Sequence, residues 1–196
     1  MTDFFDIAVT PAVLALQEEK GSLGIYTTEV GAGPGEPHRL TADEIRFLTE
    51  RDSFYLASVG ETGWPYVQHR GGPEGFVKIL GDHRIGWLER NGNRQYIGTG
   101  NIRANGRVSA IFVDYPNRSR LKVFGQATHH PGASPELKEA LGGADIRDDG
   151  AITIDILATA WNCPKFITPR YPAADVAEAI RRLQEEIADL KAQLGT

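Results

Sequence analysis

Apolar and polar residues alternate in short runs between Ser53 and Trp161, whereas beyond Val176 the apolar positions recur every third and fourth residue. The first rhythm is that of strands with one buried face and the second that of a helix. Seven segments carry the period of two: "SFYLASV" (53–59), "PYVQHR" (65–70), "FVKIL" (76–80), "RIGWL" (84–88), "RVSAIFVDY" (107–115), "SRLKVFGQAT" (119–128) and "AITIDILATAW" (151–161). "GETG", a Gly-Gly-Pro break and "GDH" separate the first four as turns. Such short strands with tight turns predict a small antiparallel barrel or sandwich with few helices outside it.

Helices are predicted at the margins. Thr10-Pro11 reads as an N-cap and a first-turn proline opening a helix to about Lys20, where Gly21 stops it. A loop containing "GAGPGEP" fills 21–39, and the capping box Thr41-Ala-Asp-Glu44 starts a short helix to about Glu50. Further short helices are expected at about 94–104 and 134–141. In the C-terminal segment Val176, Ile180, Leu183, Ile187, Leu190 and Leu194 are spaced 4, 3, 4, 3 and 4. That is the seam of a coiled coil, and the narrow stripe predicts pairing with a second copy; packing on the chain's own barrel is the alternative.

Composition narrows the picture. The 196 residues are 41% apolar and 24% charged, values of a globular chain, and no repeat or low-complexity tract is present. A net charge of −5 gives no overall attraction to nucleic acid, so an anion must be held by a local basic site. Cys163 is the only cysteine, which excludes an intrachain disulfide and a multi-cysteine metal site. The N-terminus lacks a basic start, and no apolar run approaches the roughly 20 residues of a membrane span. The expectation is a soluble, cytoplasmic protein without a membrane or nucleic-acid partner.

Four clusters could carry chemistry. Arg70 precedes the Gly-Gly-Pro break, where glycines can turn backbone N–H groups toward a ligand, and Lys78 follows on the next strand; a bulged hairpin with a surface arginine is the plainer reading. "ERNGNRQY" (89–96) leaves a strand and places Asn93, Arg94 and Gln95 where a helix begins, a natural anion site, or else an ordinary capped helix. Arg120, Lys122 and Phe124 share one strand face, with Arg118 solvated at the turn before them. In "WNCPKFITPRY" (161–171), Trp161 could cover a flat ring or belong to the core. Cys163 has no evident base and is expected as a small buried residue. The histidines show no metal spacing, and the adjacent His129 and His130 would point to opposite faces of a strand.

From "DSFYLASVGETGWPYVQHRGGPEGF", "GNRQYIGTGN" and "WNCPKFITPR" the chain resembles the FMN-binding split barrels related to pyridoxamine 5'-phosphate oxidase, chiefly over 41–127. The tail resembles that of a bacterial subgroup of predicted flavin-nucleotide-binding proteins. The resemblance implies a split β-barrel of six or seven strands (41–171), flanked by an N-terminal helix and loop (1–40) and a C-terminal amphipathic helix (172–196). It also implies a homodimer with FMN at the interface. By the same resemblance Lys78 and Arg70 are the basic residues near the flavin, Asn93 and Arg94 grip its phosphate, Gln95 replaces an expected lysine, and Arg120 reaches the partner's site. The break at Gly71–Gly75 would let the backbone run close beneath the flavin. "HHPGASPELKEALGGAD" has no counterpart of the Arg-Pro-x-x-Ser substrate segment, so oxidation of pyridoxamine phosphate itself is not expected. The implied function is an FMN-dependent oxidoreductase on an unidentified small molecule. A flavin carrier without turnover, or a deazaflavin- or haem-binding barrel with His69 or His129 as axial ligand, are the alternatives.

Overall fold

The computed structural model describes residues 4–24, 36–90, 92–143 and 148–194. Its centre is one antiparallel sheet of seven strands, β1 (Ser53–Val59), β2 (Pro65–Gly71), β3 (Lys78–Ile79), β4 (Arg84–Arg90), β5 (Arg107–Asp114), β6 (Ser119–His130) and β7 (Asp148–Trp161). The order is β2-β1-β5-β6-β7-β4-β3. β2 and β3 are therefore consecutive in sequence yet lie at opposite edges, and the sheet curls into a split barrel. The Gly-Gly-Pro break makes the crossing between those edges. There Gly72 N–H donates to the Asp52 carbonyl at 2.8 Å, and a Cβ on Gly72 would sit 2.7 Å from Phe76. The close approach of this break is thus to the Phe76 ring, which stacks on Phe54 at 5.9 Å.

Alternation decides which side chains fill the barrel. Phe54 and Leu56 of β1, Phe112 of β5, Leu121 and Val123 of β6, Ile152, Ile154 and Ile156 of β7, and Ile85 and Trp87 of β4 are all buried. Phe54 is the hub, with Phe112 stacked at 4.5 Å and Trp87 edge-on at 5.2 Å. The expected strand 76–80 shrinks to Lys78–Ile79 because Phe76 and Val77 leave the ladder to close the barrel end. β4 and β7 are longer than their apolar runs predict, with a register shift between Leu88 and Arg90.

Six helices lie around the barrel among the described residues: α1 (Phe4–Ala8), α2 (Pro11–Glu19), α3 (Ala42–Thr49), α4 (Ile97–Ala104), α5 (Pro135–Ala140) and α6 (Ala173–Leu194). The short α1 has no counterpart in the sequence pattern; its Phe4 stacks on Phe124 at 4.7 Å. Thr10 caps α2, with Pro11 as its first residue, as predicted. Both halves of the α3 capping box are formed. The "GAGPGEP" stretch spans 31–37 and lies outside the described residues save for its last two positions. No described helix is long and apolar enough to cross a membrane.

Candidate functional site

β2 turns Tyr66, Gln68 and Arg70 to the inner side of the sheet, in register with Ser58, Leu56 and Phe54 of β1. An edge strand that places arginine in phase with a core phenylalanine must give that charge a partner. Glu89, at the end of β4 and in phase with Ile85 and Trp87, supplies it. Arg70 Nη1 lies 2.9 Å from Glu89 Oε1, and Nη2 donates to Gln68 Oε1 at 2.9 Å. Trp87 Nε1 donates to the same carboxylate at 2.9 Å, and Thr99 Oγ1 of α4 reaches it at 3.4 Å. Two strands from opposite ends of the sheet are thus tied across the split of the barrel. One polar atom stays unsatisfied, the buried Nε of Arg70.

Above this floor opens a cleft of about 300 Å³, lined by β2, by Glu89, by the 92–96 loop and by the first turn of α4. Arg94 and Tyr96 both hold left-handed backbone angles, φ 61° and 51°. Such angles are uncommon for non-glycine residues and concentrate at functional sites. Asn93 Oδ1 accepts from Gln95 N–H at 3.1 Å, which pins the loop. The N-cap residue Tyr96 makes no side-chain cap hydrogen bond, so the positive end of the α4 dipole faces the cleft. Gly98 is the fitted residue there, since a Cβ would collide with the Gln68 amide. The Arg70 charge is already balanced by Glu89, whereas Arg94 forms no ion pair among the described residues, so the cleft's available positive charge comes from Arg94 and the helix end.

The structure brings together Arg70, Asn93, Arg94 and Gln95 and places the other predicted residues elsewhere. Lys78 lines a smaller cleft of about 140 Å³ with Pro73, Phe76, Leu88 and Leu141. Arg120 enters a third cleft with Tyr55, Tyr115 and Arg170, and its Nε is also buried without a partner. There burial, and then the hydrogen bond with Tyr55, push the Tyr115 phenol above its usual value, against the opposing Arg170 guanidinium 4.9 Å from its ring. Lys122 lies 5.9 Å from the Phe4 ring, beneath α1. Trp161 is half-exposed, edge-on to Phe47 at 4.8 Å, and so is not barrel core.

Cys163 is exposed rather than buried, because "NCPK" has left the sheet before it could contribute to the core. His129 accepts from Arg103 Nε at 3.0 Å, while His130 pairs with Thr153 at 2.9 Å. Glu89, Gln68 and Thr99 were absent from the sequence-derived site. Glu89 had a signal all the same: an acid in phase with the apolar positions of "RIGWLER".

The family model described as pyridoxamine 5'-phosphate oxidase matches residues 41–158. No curated protein matches the chain. Among solved structures, HupZ of Group A Streptococcus gives a TM-score of 0.51 at 16% identity, covering 67% of this chain and 100% of that one. A putative pyridoxamine 5'-phosphate oxidase of Lactobacillus delbrueckii gives 0.50 at 20% identity, covering 62% and 93%. At these identities the likeness is one of fold.

Proposed function

The chain belongs to the pyridoxamine 5'-phosphate oxidase family, and on that premise we propose that it binds FMN, with the phosphate in the cleft between β2 and α4. The observation that carries this reading is the start of α4, with no side-chain cap bond, beside Arg94, which no acid neutralises among the described residues. Arg94 and the first-turn N–H groups hold the phosphate, and Asn93 and Gln95 keep the loop in its strained shape. Arg70 acts from below, fixed by Glu89 and Gln68.

The cleft is at the lower end of the roughly 300–1,000 Å³ of ligand pockets, too shallow to enclose a whole flavin. We therefore assign the second wall to another copy, in a homodimer whose interface completes the site. The outer face of β1 and β2 supports this assignment, with Tyr55, Val59 and Val67 exposed side by side and Trp64 beyond them. In such a dimer Arg120, Lys122 and Trp161 are contacts to the partner's flavin, and Lys78 lies at the margin. When bound, flavin supplies hydride and electron transfer to a small molecule other than pyridoxamine phosphate. The chain's own residues anchor and orient it.

Titration with FMN, followed by flavin absorbance and fluorescence, tests the reading. Uptake is expected in the unmodified chain. Arg94→Ala should weaken it by roughly ten- to a hundredfold, since a hydrogen bond to a charged group contributes about 1.5–3 kcal/mol. Equal affinity of the two proteins, or no uptake by either, would overturn it. Reduction of the bound flavin by NADH or NADPH then separates an oxidoreductase from a carrier.

A further inference from the structure

α6 carries a complete apolar seam that none of the described residues covers. All six seam residues, Val176, Ile180, Leu183, Ile187, Leu190 and Leu194, are between 43 and 77% exposed, and α6 has no buried residue. Four of its charged residues pair along its own surface: Arg181 bridges Glu178 at 2.8 Å and Glu185 at 2.5 Å, and Arg182 bridges Glu178 at 2.8 Å. These bridges support the helix and leave the seam clear. A 22-residue helix with three apolar heptads gains most of its stability in water when its exposed stripe packs against another.

We propose that α6 pairs with α6 of a second copy of this chain as a parallel, in-register, two-stranded coiled coil. Two features choose this arrangement. In heptad terms Ile180, Ile187 and Leu194 occupy the a positions and Val176, Leu183 and Leu190 the d positions. Branched residues at a with leucine at d favour two parallel strands. The flanking charges agree. Glu186 takes a g position and Lys191 the following e position, so a parallel pair sets each Glu186 against the Lys191 of the other copy, twice by symmetry. The other g-to-e pair, Ala179 with Gln184, is neutral. An antiparallel pairing of the same seam brings Glu186 against its own copy, a like-charge contact. The pairing requires neither flavin nor contact between barrels. It tethers two barrels at a fixed end, which raises the effective concentration of any weaker contact between them.

Cysteine cross-linking in the full-length chain tests it, read separately from flavin binding and from any barrel dimer. With Cys163→Ser removing the native thiol, Ile180→Cys and Leu190→Cys are made singly and oxidised with oxidised glutathione. A parallel coil gives a disulfide-linked dimer with each variant alone. An antiparallel coil brings position 180 opposite 190 and gives dimer only when the two variants are mixed, which overturns the proposal, as does absence of cross-linking in all three samples. Glu186→Lys added to Ile180→Cys should slow cross-linking severalfold, and adding Lys191→Glu should restore it. Indifference to both changes overturns the assigned register.

Discussion

Glu89 shows how one side chain can hold two distant strands and shape the cleft above them. Both of its oxygens are engaged, by Arg70, Trp87 and Thr99, so it orients β2, β4 and α4 together. Replacing it leaves the Arg70 guanidinium enclosed and without a counter-charge. Glu89→Gln is expected to lower stability by about 3 kcal/mol, in the range for breaking a buried pair from one side. The fall should appear as a reduced urea midpoint with an unchanged slope. FMN affinity should fall with it, as the loop carrying Arg94 loses its floor. Arg70 illustrates the limit of reading chemistry from residue type. Its position beside glycines suggests a ligand contact, yet whether its charge is free depends on Glu89, 19 residues away.

α3 is positioned by its own first turn and by one polar knot. Glu44 closes the capping box with Thr41 and also accepts from His38, at 3.0 and 3.1 Å, and from Thr159 of β7. Burial alone would raise its carboxyl, but the hydrogen bonds from Thr159, the Thr41 backbone and His38 outweigh it and hold the group below its usual 4.5. A carboxylate depressed in the folded state adds stability that is fully present above the unfolded value and is lost as pH falls through the lower, folded one. Stability should therefore decline with acid below about 4.5, and Glu44→Gln should flatten that decline while lowering stability at neutral pH. Urea midpoints from roughly pH 3 to 7 check both. The existence of α3 was legible because "TADE" is a local signal. Its attachment to β7 was not, because Thr159 lies 115 residues from Glu44.

The exposed outer face of β1 and β2 sets the expectation for the assembled molecule. Val67 stands on it, 61% exposed, on the opposite side of the strand from Gln68 and the cleft. Val67→Asp should leave the single barrel folded, since that side chain contributes no core. It should weaken association of the barrels and FMN uptake together. Sedimentation velocity read beside flavin titration checks the pair of effects, and loss of one without the other would separate the interface from the site. The α6 pairing should persist in this variant, because it draws on a different surface.

Alternation of apolar residues, turn glycines and the "TADE" cap are local properties, and they settled the strands, the antiparallel class and the helices α2, α3 and α6 before any folding was considered. On β2 the period of two was legible but not its direction, because the apolar Val67 faces outward while Gln68 and Arg70 face in. α1 escaped, because five residues are too few for a period and its burial rests on Phe124, 120 positions away. Strand order, and with it the grouping of the candidate residues, also came only with the fold. Arg70 and Arg94 line one cleft while Lys78 and Arg120 line others, although all four are basic residues on or beside strands. The cause is the crossing from β2 to β3, which sends neighbours in sequence to opposite edges of the sheet. Pattern reports which side chains share a face, but only the path of the chain decides where that face lies and what it meets.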